Sequence, residues 1–195
     1  MVATSESDRT LVSVIIPHFN GKQHLDDCLG SLQRQTYRNH EVILVDNGST
    51  DGSQTYTRSH YPDVRLLQLN ENAGFTGACN AGYEVSAGDL VVLLNNDTEV
   101  DENWLAELVD AFKRAPEAAS VASKMLLFHE RDRFHTAGDY YRLNGIPGNR
   151  GVWQKDAGQY DEEALVFGAC GGAAAYRKNF IEETGFMDDE FYFSC

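Results

Sequence analysis

Asn95, Asn96 and Asp97 follow directly on an unbroken apolar run, L-V-V-L-L, at residues 90–94. A run of that length and type suits a strand buried on both faces of a parallel sheet covered by helices. Polar side chains at the carboxyl end of such a strand sit where open α/β sheets bind ligands. A carboxylate flanked by amides there offers oxygen ligands to a divalent cation. The competing reading is a polar turn capping the next helix, but Asp101 already suits that cap. Two other strand ends carry comparable residues. Residues 41–45, E-V-I-L-V, run into Asp46 and Asn47 and then G-S-T-D-G-S. Asp46 would offer an acceptor, and Asn47 an amide, to a nucleobase or ribose; the plainer reading is a strand-to-helix turn. Residues 11–17, L-V-S-V-I-I-P, lead into His18-Phe19-Asn20-Gly21. Pro17 is expected to stop that strand. His18 could face a ligand from the loop, although a solvated histidine is the commoner outcome.

The elements that must hold these residues alternate in type. Leu25, Cys28, Leu29 and Leu32 recur at helical spacing between residues 22 and 35. A third strand is expected at residues 64–69, followed by a helix to about residue 86. Ala78, Ala81 and Gly82 leave that helix free to approach a sheet or ligand closely. The turn with Gly74 and Gly77 resembles a phosphate cradle, but neither G-x-G-x-x-G nor G-x-x-x-x-G-K-[ST] is present. Those absences argue against a dinucleotide redox enzyme and an NTPase. After the central strand, Asp101 and Glu102 favour the start of a helix with Leu105, Leu108, Val109 and Phe112 as its stripe. Lys113, Arg114 and Pro116 mark its end. Residues 119–127 read as one further strand, and residues 128–158 as a long, partly mobile loop in which His129 and His135 are surface residues. Residues 166–176 return to a small apolar pattern, and residues 177–184 read as a short helix. The expected fold class is α/β, a doubly wound, mostly parallel sheet flanked by helices. Its three polar strand ends would line one crevice suited to a nucleoside diphosphate bridged by a cation.

Bulk properties bound the reading. At 195 residues the chain can form one domain with a real core, and 42% apolar with 11% aromatic residues is a globular composition. A net charge of −14 argues against nucleic acid or an anionic membrane as the main partner. Cys28, Cys79, Cys170 and Cys195 form no C-x-x-C pair, which favours a reducing, cytoplasmic setting over a disulfide or zinc framework. No apolar run approaches the length of a membrane span, and residues 1–10 are polar, an expected disordered tail without a signal-peptide core.

Five motifs occur in order: V-S-V-I-I-P-H-F-N-G, E-V-I-L-V-D-N-G-S-T-D-G-S, N-x-G-F-T-G-A-C-N-A-G, L-L-N-N-D-T-E-V and G-F-M-D-D-E-F. Through them the chain, from Val12 to its last residue, resembles glycosyltransferase family 2 with its GT-A fold. It is closest to the bacterial rhamnosyltransferase-like branch, where N-N-D replaces the usual D-x-D. The resemblance implies that Pro17, Phe19, Asn20, Asp46 and Asn47 lie on the base and ribose side of a nucleotide-sugar donor. It places Gly74 and Asn80 in a second nucleotide-side motif. It makes Asp97 the acid that binds Mg²⁺ or Mn²⁺, with Asn96 beside it. Many relatives carry aspartate at the positions of Asn47 and Asn95, so weaker metal binding without donor is expected. The implied reaction is inverting, metal-assisted transfer from a UDP- or dTDP-sugar to a glycan or lipid-linked acceptor, as in cell-wall or polysaccharide synthesis. In a longer protein the setting would be cytoplasmic or membrane-peripheral.

The resemblance also implies a plan: residues 11–127 form the nucleotide-sugar-binding half, and residues 128–195 begin the acceptor-side half. The family's carboxylate base lies in a Glu-Asp pair that would begin immediately after Cys195. The chain is therefore expected to be a fragment that binds donor but transfers no sugar, with Asp189 the in-chain candidate base. Asp188 and Glu190 are expected to be acceptor-side or structural. Phe191, Tyr192 and Phe193 are expected to be disordered or to mediate self-association. Two rivals remain. One is a non-catalytic nucleotide-sugar-binding module of the same fold. The other, a nucleotidyltransferase, is disfavoured because no G-x-G-x-R loop is present.

Overall fold

The computed structural model describes residues 10–188 and 190–192. The expectations for residues 1–9, for Asp189 and for Phe193 fall outside the described residues. The main sheet has six strands in the order β3-β2-β1-β4-β10-β5. These are β1 (Val12–His18), β2 (His40–Asp46), β3 (Arg65–Gln68), β4 (Leu90–Leu94), β5 (Ser120–Ala122) and β10 (Ala173–Arg177). β1 pairs in parallel with both β2 and β4, and β2 with β3, whereas β10 runs antiparallel to β4 and β5. The sheet is thus mostly parallel, as the continuous apolar runs of β1, β2 and β4 require: strands covered on both faces cannot alternate with polar residues.

Helices cover both faces. α1 (Leu25–Gln33) and α4 (Trp104–Arg114) place Leu25, Leu29, Leu32, Leu105, Val109 and Phe112 on the face carrying Val14, Ile16, Leu44 and Val92. α3 (Gly74–Glu84) and α5 (Lys178–Thr184) place Ala78, Cys79 and Ile181 on the face carrying Ile15, Ile43, Val45 and Leu93. Successive strand residues point to opposite faces, so Ile15 and Ile16 serve different layers. Each fully buried Leu or Ile in these layers contributes roughly 1.5–3 kcal/mol. The small residues of α3 seat it tightly: a Cβ on Gly82 would lie 2.4 Å from Ile15 Cγ2. α2 (Ser53–His60) follows the turn after β2.

Several boundaries differ from the sequence expectation. β1 does not stop at Pro17 but runs through His18. The carbonyl of His18 accepts from Asn47 N–H at 2.8 Å, so the backbone of Pro17, one residue earlier, faces the other side. The ladder to β4 has already ended there, at Ile15 opposite Leu93, so the missing proline N–H removes no bond. The first expected helix opens with a 3₁₀ turn, Lys22–His24. Residues 119–127 form two strands rather than one. β5 stays on the main sheet, while β6 (Met125–Leu126) leaves it to pair with β7 (Phe134–Thr136). The segment expected to be a mobile loop carries β7 and a hairpin of β8 (Asp139–Tyr141) and β9 (Pro147–Asn149). It is anchored by Phe134, which is fully buried and packs edge-on against Tyr160 at 5.1 Å. Strands of two or three residues are too short to leave a periodic signal in a sequence.

Candidate functional site

β1 leads outward through β2 to β3, and β4 then returns to the opposite side of β1. The boundary between β1 and β4 is therefore a topological switch point, where open α/β sheets form a crevice beyond their strand ends. The three polar strand ends meet there. Asn47 N–H donates to the carbonyl of His18, and Asn96 Nδ2 lies 2.9 Å from His18 Nδ1.

His18 is 1% exposed and is no solvated loop residue. Its Nε2 is 2.7 Å from Ser53 Oγ. Burial holds its pKa below the ordinary value of 6.5, partly opposed by Asp46 and Asp51, so the ring is neutral near neutral pH. Phe19 is half exposed and follows it into the loop. Asn20 adopts a left-handed backbone (φ 50°) and staples the loop to the turn after β2. It receives Thr50 N–H on Oδ1 at 2.8 Å and donates its own N–H to Ser49 Oγ at 3.0 Å.

Asp46 is 1% exposed, and its Oδ2 accepts from Gln54 Nε2 at 2.8 Å. Its Oδ1 is buried with no hydrogen-bond partner. A buried carboxylate oxygen left empty in a protein is unusual and calls for a ligand or a functional reason. Asn47 shows the opposite condition. Its Nδ2 donates to Asn72 Oδ1 and to the carbonyl of Gly74, and its Oδ1 accepts from Ala73 N–H. Its amide therefore holds the loop before α3 in place. Asn80 donates to the carbonyl of Met187 at 2.9 Å and accepts Met187 N–H at 3.2 Å, clipping the segment after α5 onto α3.

Gly74 opens α3 with φ 77°, and a Cβ there would lie 2.3 Å from the carbonyl oxygen of Tyr192. That carbonyl accepts Phe75 N–H at 2.9 Å, and Thr76 Oγ1 donates to the carbonyl of Phe191. The turn read as a phosphate cradle is thus covered by the chain's own residues. Phe191 and Tyr192 remain about half exposed. Asp188 accepts Glu190 N–H at 2.9 Å, a turn-forming bond. Cys28 and Cys79 are buried, which pushes both thiols up to about 12 and leaves them unsuited to nucleophilic chemistry.

Asp97 is exposed and Asn96 half-buried at the crevice. Among the described residues, no cluster of three or more His, Cys, Asp or Glu side chains could hold a metal. The local donor set of one carboxylate and amide oxygens nevertheless fits Mg²⁺ or Mn²⁺ completed by phosphate oxygens. Such ions commonly bind through one or two carboxylates plus substrate phosphates. Sequence reasoning missed Ser53, Gln54 and Gly21. Asp51 and Ser53 two residues apart carry an Asx-turn signal, but nothing local marks the link from Ser53 to His18.

Among solved structures, the fold is similar to the mannosyltransferase PcManGT from Pyrobaculum calidifontis in complex with GDP-Man and Mn²⁺. The TM-score is 0.64 at 21% identity, over 92% of this chain and 48% of that one. It is also similar to S. aureus TarS 1-349 in complex with UDP, with a TM-score of 0.67 at 17% identity, over 93% and 51%. These likenesses establish the GT-A fold. By sequence the chain is 30% identical over 142 residues to the glycosyltransferase GlyG of Streptococcus pneumoniae, covering 71% of this chain and 42% of GlyG. The chain thus spans less than half the length of that relative. The model of the family described as "Glycosyl transferase family 2" matches residues 13–185, every element from β1 to α5. With strand ends, fold and sequence in agreement over that span, the chain belongs to glycosyl transferase family 2.

Proposed function

We propose that the crevice binds a nucleoside diphosphate sugar and serves inverting transfer of its sugar to a glycan or lipid-linked acceptor. The observation that carries this reading is that Asp46 and Asn96 flank His18 at the strand ends on either side of β1, with Asp97 next in the chain and Asp46 Oδ1 buried and empty. Asp46 is suited to accept an N–H or hydroxyl proton from the base or ribose. Phe19 offers an exposed aromatic face in the loop after β1, and Asn20 and Asn47 fix the loops at the ends of β1 and β2. Asp97 and Asn96 would hold Mg²⁺ or Mn²⁺ at the diphosphate. When bound, that ion neutralises the charge that develops on the leaving nucleoside diphosphate. The two similar solved structures are complexes with GDP-Man and with UDP, and the rhamnosyltransferase-like motif favours a UDP- or dTDP-linked hexose or deoxyhexose here. The described residues include no helix long and apolar enough to cross a membrane. Calorimetric titration of UDP, dTDP and GDP, each with and without Mn²⁺, tests the reading. Metal-enhanced binding of at least one is expected, and no binding to any would overturn it.

A further inference from the structure

Asp51 Oδ1 accepts both the hydroxyl and the backbone N–H of Ser53, and Oδ2 accepts Lys22 N–H at 2.9 Å. Burial pushes the Asp51 carboxyl up, but hydrogen bonds from Ser53 and Lys22 outweigh it and leave the group below its ordinary range. It is an acceptor only, so the Ser53 proton is committed to it. Ser53 Oγ must then accept from His18 Nε2, 2.7 Å away. Nε2 therefore carries a proton, and Nδ1, which faces an amide NH₂, is the ring's acceptor. The amide nitrogen facing it at 2.9 Å is Asn96 Nδ2. The Asn96 amide therefore turns its NH₂ toward His18 and its Oδ1 away, and among the described residues Oδ1 has no hydrogen-bond partner.

Gly21 closes the clamp from the other side. A Cβ on Gly21 would lie 2.3 Å from Asn96 Nδ2 and 3.4 Å from His18 Cε1. Its backbone, φ −117° and ψ 31°, suits other residues, so the missing side chain and not backbone freedom is what the clamp uses.

We propose that His18 is a positioning residue for Asn96, turning the amide so that its oxygen faces the cation at the donor's diphosphate. An amide turned the other way would point two N–H donors at a positive charge. The chain Asp51–Ser53–His18 thereby sets the orientation of a neutral ligand beside Asp97. This rests on the donor-site reading above.

The test uses the full 195-residue chain with UDP as probe, with and without Mn²⁺. His18→Leu removes the acceptor, and Gly21→Ala drives a methyl into the Asn96 amide while meeting the His18 ring only at contact distance. His18→Asn restores an acceptor oxygen near the position of Nδ1. The first two variants are expected to weaken Mn²⁺-dependent UDP binding about 10-fold, at the low end for lost outer-shell partners of metal ligands. Metal-free UDP binding stays unchanged, and His18→Asn stays close to the parent. Nitrogen-15 NMR of the parent is expected to show the Nε2–H tautomer of His18. An Nδ1–H tautomer overturns the proposal. So does parent-like binding by both His18→Leu and Gly21→Ala, or an equal loss with and without Mn²⁺. If the parent binds none of UDP, dTDP or GDP, the donor-site reading falls and this proposal with it; a binding parent with unchanged variants sinks the proposal alone.

Discussion

Asp46→Asn separates the cost of the crevice to the folded protein from its benefit to a ligand. The residue is 1% exposed, one carboxylate oxygen bonds Gln54, and the other is buried and empty. An unsatisfied buried polar group costs about 1–3 kcal/mol, and more when charged. Asparagine keeps the shape and can still accept from Gln54, while the buried charge is removed. The variant is therefore expected to be more stable without ligand by about 1 kcal/mol. For a chain of this size that raises Tm by about 2–4 °C. Binding should move the other way. A hydrogen bond to a charged group is worth about 1.5–3 kcal/mol, so the nucleotide Kd should rise roughly 10- to 150-fold. Thermal unfolding without ligand and calorimetric UDP titration measure the two effects on the same sample. A lower Tm together with unchanged affinity would refute the reasoning, because the carboxylate would then be a structural group and its empty oxygen incidental.

Asp97→Ala should abolish the Mn²⁺-dependent part of nucleotide binding and move Tm by less than about 2 °C, since an exposed strand-end residue carries little stability; retained Mn²⁺ dependence would place the ion elsewhere. Gly82→Ala should destabilise by about 1–3 kcal/mol in urea unfolding, because the added methyl would sit 2.4 Å from Ile15 Cγ2 and force α3 off the sheet. A parent-like midpoint would show that α3 can shift freely. Burial holds His18 and His40 below 6.5, so the unfolded chain takes up protons first. Their contribution is full above about pH 6.5 and is lost as pH falls through the window beneath it. Urea unfolding between pH 7.5 and 5 should show that slope, and His18→Asn should flatten it; an unchanged slope in the variant would remove His18 as a source.

Much of the fold was legible because parallel strands covered on both faces leave unbroken apolar runs. β1, β2 and β4 were read from such runs, and α1, α3 and α4 from helical spacing or small-residue patterns. The antiparallel β10, which begins with three alanines, and the three-residue strands β7 to β9 were not, because such small or short stretches show no local period.

The sequence by itself determined the residue types at the strand ends: a polar cluster directly after a buried run has few structural uses, and its order along the chain marks the family. Tertiary structure decided what each residue does there. Asn47 and Asp46 are neighbours in sequence, yet the amide of one is wholly taken by the loop before α3 while an oxygen of the other is left empty. His18, read as a loop residue either facing a ligand or, more commonly, solvated, is a buried link because Ser53 and Asn96 approach it from 35 and 78 positions away. Hydrogen-bond partners are set by which strands the sheet places side by side, and that order, with β4 returning beside β1, is a property of the packed layers and not of any local stretch.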